Sequence, residues 1–88
     1  MSNIAVDYLD QVNRFYIGRN VKTGDHLLSI PVANNLTDYE EYYRLERKQY
    51  YEFLDDPSLA LDFVVLCRQR KLDHLLILKP GANRGNPV

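Results

Sequence analysis

The chain has 88 residues, 45% hydrophobic and 26% charged, which is enough for one globular domain, 1–88, and too short for two. A formal net charge of −1 excludes a bulk electrostatic pull toward nucleic acid or anionic membrane. Cys67 stands alone, so no disulfide can form within the chain, and no apolar stretch approaches the roughly 20 residues that span a bilayer.

Residues 4 to 12 place Ala5, Tyr8, Leu9 and Val12 at helical spacing, while Ile4, Val6 and Tyr8 alternate as a strand would. Helix is the reading slightly preferred. Phe15 to Val21 is rich in β-formers, and Lys22-Thr23-Gly24-Asp25 supplies a turn whose Gly24 can take positive φ. Leu28, Ile30 and Val32 then alternate with Leu27, Ser29 and Pro31, completing a predicted β-hairpin.

Thr37 with Glu40 three residues on has the arrangement of a capping box, and Asp38, Glu40 and Glu41 suit the positive end of a helix dipole. Tyr39, Tyr42, Tyr43, Tyr50, Phe53 and Leu54 fall on one side at helical spacing, predicting a helix over 37–54. Glu46 interrupts that stripe and needs an Arg or Tyr partner, or an exposed position. Asp56 can cap a second helix, Pro57 fits its first position, and Arg68, Arg70 and Lys71 complement its end near residue 70. Leu75 to Leu78 reads as a central strand, and 82–88 as an exposed, flexible tail. The expected fold is α+β: a small, mainly antiparallel sheet with two helices packed on one face, in the order (α)ββααβ.

His26 and His74 each lie beside an Asp, but a general base needs a substrate or nucleophile within reach, and both are read as turn residues leading into strands. Cys67 sits on an apolar helix face, where a free cysteine behaves as a small hydrophobe. The glycines form neither a P-loop nor a dinucleotide fingerprint. No catalytic residue, metal or cofactor is therefore expected.

Five of the seven tyrosines, Tyr39, Tyr42, Tyr43, Tyr50 and Tyr51, lie in one short stretch among Asp38, Glu40, Glu41, Glu52, Asp55 and Asp56. Each buried phenol must find a hydrogen-bond partner, so tyrosine is favoured where one end stays wet, as at interfaces. The carboxylates serve caps and solubility on the one reading, and a basic partner on the other. Arg68, Arg70, Lys71, Lys79 and Arg84 form a C-terminal basic patch that could contact phosphates, the alternative reading being a nucleic-acid-associated or regulatory module.

The runs Tyr16-Ile17-Gly18-Arg19-Asn20, Leu27-Leu28-Ser29-Ile30-Pro31-Val32 and Asp38-Tyr39-Glu40-Glu41-Tyr42-Tyr43 resemble small bacterial immunity proteins of polymorphic-toxin systems such as contact-dependent growth inhibition. So do Cys67-Arg68-Gln69-Arg70 and Lys79-Pro80-Gly81-Ala82-Asn83-Arg84-Gly85. The resemblance implies a cytoplasmic, non-enzymatic protein that binds a cognate toxin C-terminal domain, often a nuclease, and blocks its active site or substrate access. The expected contacts are Asp38, Glu41, Tyr42, Glu52, Asp55 and Asp56, with Tyr51 as an anchor on the opposite side of the stripe.

Overall fold

A computed structural model describes residues 3–88. Four strands come first: β1 (Ile4–Asp10), β2 (Phe15–Asn20), β3 (His26–Ala33) and β4 (Asp38–Leu45). Helix α1 (Arg47–Asp55), a 3-10 turn (Pro57–Ala60), helix α2 (Leu61–Arg68) and a second 3-10 turn (Asp73–Leu75) follow, and β5 (Asn86–Pro87) closes the chain. The fold is α+β, with an antiparallel sheet in the order β1-β2-β3-β4. β2 pairs with His26–Ser29 of β3, and β5 then takes up Val32 and Ala33. β4 pairs with β3 along its whole length, so β5 extends the β2 side.

Residues 4–10 form a strand, not a helix, because the stretch finds a full-length partner in β2. A register shift between Val6 and Tyr8 sets these two alternating residues opposite Gly18 and Ile17, adjacent residues of β2 that face opposite ways. The turn into β2 is held by Asp10, whose carboxylate accepts from the Asn13 backbone N–H at 2.8 Å and its side-chain amide at 2.9 Å. The β2–β3 hairpin forms as the sequence predicts, with Gly24 at φ 81°. Asn20 Oδ1 accepts from the Lys22 and Thr23 N–H groups in that turn.

The largest departure is at 38–45, where a strand replaces the first half of the expected helix. Tyr39, Glu41, Tyr43 and Leu45 alternate toward the helices, and Asp38, Glu40, Tyr42 and Arg44 face away. Thr37 caps nothing; α1 starts at Arg47, and the Glu46 N–H donates to Gln49 Oε1 three residues on. At the Asp56-Pro57 corner the predicted cap forms, but on a 3-10 turn, and the second helix, α2, begins only at Leu61 and ends at Arg68. Asp56 Oδ1 accepts from Ser58 N at 3.2 Å and Ser58 Oγ at 2.6 Å, and Pro57 opens the 3-10 turn.

The core lies between the sheet and the helices, with Phe15, Ile17, Leu28, Ile30, Val32 and Tyr43 below and Tyr50, Phe53, Phe63, Val64 and Cys67 above. Leu75 to Leu78 is not a central strand. Leu76 makes a single bridge to Tyr43 and Ile77 N–H donates to the Tyr42 carbonyl, so the segment lies along the outer edge of β4. Nor is 82–88 a free tail. Arg84 enters an ion-pair cluster, Gly85 N–H donates to the Tyr39 hydroxyl at 2.7 Å, and β5 joins the sheet.

Candidate functional site

The residues expected to meet a partner fall on three surfaces. Tyr51, Glu52, Asp55 and Asp56 stay together on α1 and the corner after it, all exposed. Tyr51 is 54% exposed, its ring edge-on to Tyr50 at 5.0 Å with the Arg47 guanidinium 5.9 Å from its centroid. From Tyr51 to Leu66 the chain carries the carboxylates of Glu52, Asp55, Asp56 and Asp62 and no lysine or arginine. Leu59 and Val65 are exposed in the same stretch. Acidic and exposed apolar side chains therefore interleave along this stretch.

Glu41 points the other way. It is 6% exposed, accepts from Arg84 Nε at 2.8 Å and Nη2 at 3.1 Å, and also takes the Tyr43 hydroxyl at 3.0 Å. Its carboxylate serves the interior and presents nothing to a partner. Burial chiefly, then the Glu41 charge, pushes the Tyr43 phenol well above its ordinary value, so it stays a neutral donor.

Asp38 and Tyr42 lie on the sheet face turned away from the helices. In one row across that face Leu9 pairs with Tyr16, Tyr16 with Ser29 and Ser29 with Tyr42. Glu40 joins this group, its Oε1 accepting from Ser29 Oγ at 2.6 Å. Sequence reasoning assigned Glu40 to a helix cap and so passed over it. The signal was there in the alternation of Asp38, Glu40, Tyr42 and Arg44.

The basic patch is largely committed to the chain itself. Arg68 donates to the Val88 main-chain oxygen at 3.0 Å, and Arg70 to the Gly85 carbonyl at 3.0 Å. Arg84 is shared between Glu41 and Asp73, and only Lys71 and Lys79 are left exposed and unengaged among these five. His26 packs against Tyr50, the ring centroids 4.3 Å apart and the planes tilted by 42°, and His74 sits exposed in the second 3-10 turn. Cys67 is buried, and burial chiefly pushes its thiol up to about 12. No group of three metal-ligating side chains occurs among the described residues. No helix among them is long and apolar enough to cross a membrane.

No protein-family model matches the chain, and no curated protein or solved structure is similar to it at significance.

Proposed function

We propose that this chain is a non-enzymatic immunity protein that binds a cognate bacterial toxin domain, a nuclease by preference, and blocks its active site or substrate access from the cytoplasm. The observation that carries the reading is the stretch from Tyr51 to Leu66, which carries four carboxylates, no lysine or arginine, and exposed Tyr51, Leu59 and Val65. Such a stretch complements the basic surface a nuclease needs for its own substrate. Its charge would speed encounter, and its aromatic and aliphatic side chains would slow release. Contact falls to Tyr51, Glu52, Asp55 and Asp56, with Asp38 and Tyr42 available on the far face and Glu41 serving the interior. The basic-patch alternative is disfavoured because Arg68, Arg70 and Arg84 already bond within the chain.

The test is protection. A toxin domain encoded beside this chain is expressed with it in the same cells, and growth is followed. Wild-type protein should restore growth and co-purify with the toxin at about one to one, whereas Glu52→Lys with Asp55→Lys should do neither while remaining folded. Full protection by the doubly reversed variant would remove this surface from the reading, and no protection by wild type would remove the reading.

A further inference from the structure

The sheet has a break at Pro31. β2 pairs with β3 as far as Ser29, and β5 resumes the same side at Val32, leaving Ile30 and Pro31 between them. Proline has no N–H to offer either neighbour. Its carbonyl takes the Val88 N–H at 3.2 Å, and Arg14, just before β2, turns aside with φ 58°. Beside this break lies an open hollow of about 460 Å³. Leu9, Tyr16 and Pro31 give it apolar walls, and Asp10 and Glu40 bring carboxylates to it.

The charges in this hollow do not cancel. Glu40 is half-buried and fixed by the Ser29 hydroxyl, yet no ion pair among the described residues engages it. The cation on the wall, Arg14, gives its Nε to the Val88 oxygen at 2.8 Å. Asp10 is held below its ordinary value, chiefly by the Asn13 side chain, and so stays ionised. Two carboxylates thus face one cation that is already engaged.

We propose that this hollow binds an arginine side chain presented by a protein partner, with the guanidinium on Glu40 and the alkyl stem along Leu9 and Pro31. A carboxylate partly out of water and without an ion-pair partner gains from a charge-assisted bond. Glu40 Oε1 keeps acceptor capacity beyond the Ser29 hydroxyl and Oε2 has no hydrogen-bond partner among the described residues, so a two-pronged donor can be met. Guanidinium has that fork and also stacks flat on an aromatic ring, here the Tyr16 phenol, which an ammonium does less well. The stem buries its methylenes on apolar surface while the head stays polar. The hollow lies within the roughly 300–1,000 Å³ typical of ligand clefts. This site is on the opposite face from the acidic helices and stands independently of the toxin reading.

The test uses the full chain, isotope-labelled, titrated in NMR with acetyl-arginine amide, which requires no partner to be known. Saturable shifts are expected at the Tyr16, Ser29 and Glu40 amides, with dissociation in the roughly millimolar range of a single-residue ligand. Acetyl-citrulline amide, the uncharged isostere, and the Glu40→Gln variant should each bind at least about tenfold more weakly. Glutamine still offers Ser29 an oxygen, so the fold is kept, and Tyr16→Leu should weaken binding as a second, independent probe. Failure to saturate, equal binding of citrulline, equal binding by Glu40→Gln, or shifts centred on Glu52 and Asp55 would each overturn the proposal. Equal binding of acetyl-lysine amide would overturn the choice of arginine.

Discussion

Arg84 grips Glu41 from 43 residues away, Nε to Oε2 at 2.8 Å and Nη2 to Oε1 at 3.1 Å. The same guanidinium takes both oxygens of Asp73, at 2.7 and 2.9 Å. One side chain therefore ties the C-terminal segment to β4 and to the turn after α2. The Glu41 side chain is 6% exposed and that of Asp73 is 41% exposed, so the cost of losing the arginine falls mainly on Glu41.

Arg84→Met should cost roughly 3–5 kcal/mol, because it strands a buried carboxylate with only the Tyr43 hydroxyl to meet it. Arg84→Lys should cost less than methionine but more than a surface change, since an ammonium cannot hold two carboxylates in a planar fork. Urea unfolding measures both. If methionine shifted the midpoint no more than an exposed-site substitution does, the cluster would be incidental to the fold. Combining Arg84→Met with Glu41→Gln should recover part of the loss, since the stranded charge is then gone.

Asp73 makes the cluster sensitive to acid. Hydrogen bonding from Arg84 holds its carboxyl below its ordinary value, more strongly than burial raises it. A carboxyl depressed in the folded state adds stability above its unfolded value and loses it as pH falls through the folded one. The wild-type advantage over Asp73→Asn should thus be full above about pH 5 and shrink progressively below about pH 4. Unfolding midpoints of the two proteins across that range decide the matter. A difference that stayed constant into acid would mean the Asp73 charge contributes nothing. Taking the difference between the two removes the part due to Asp10, which Asn13 also holds low.

The β2–β3 hairpin and the Asp56-Pro57 corner were legible because each is fixed by local chemistry: Gly24 at positive φ, and a carboxylate on the N–H two residues ahead. β4 was not, because its alternating inner face contains Tyr39 and Glu41, which look like surface residues until Arg84 and Gly85 arrive from the far end of the chain. Tyr39, Tyr42 and Tyr43 satisfy a helical period as readily as an alternating one, and Thr37 with Glu40 added a cap signal that no helix used. The same blindness to distant partners made 82–88 look like a tail. On the functional side, Glu52, Asp55 and Asp56 are neighbours in sequence, and α1 with the corner after it keeps all three exposed. Glu40 was missed because its companion Ser29 belongs to another strand.

Gly18 lets β1 lie close against β2. A Cβ there would run into the Ala5 carbonyl oxygen, which is backbone and cannot turn aside. Gly18→Ala should cost about 1–3 kcal/mol, the usual range for forcing extra atoms into a packed site. Hydrogen exchange should show where: amides of Ile4 to Val6 should exchange faster while those of α2 keep their relative order. Unchanged exchange in β1 would contradict the close approach.

Tyr51 separates binding from folding. With 54% of its surface in water, an edge contact to Tyr50 and a looser tilted one to His26, Tyr51→Ala should change stability by no more than about 0.5–1 kcal/mol. On the proposed immunity function, the same change should cost about tenfold or more in affinity for the toxin domain. Calorimetric titration beside thermal unfolding reads both quantities on one sample. Loss of stability with affinity intact would make Tyr51 a packing residue and shift the anchor to Leu59 or Val65.

Cys67 reports on opening of the helical layer. It is 1% exposed, and burial, followed by the charges of Glu41 and Asp73, pushes its thiol up to about 12. In mildly alkaline buffer the folded chain then holds far less thiolate than an unfolded cysteine, which is substantially ionised there. A thiol-specific reagent should therefore label the native protein slowly, through transient opening, and label it fully across the urea transition. Arg84→Met should accelerate native labelling in step with its loss of stability, because the Tyr43 hydroxyl that meets Glu41 also lies 3.3 Å from the Cys67 carbonyl. Rapid stoichiometric labelling in native buffer would instead place the thiol in reach of solvent and contradict the packing of α2 on the sheet.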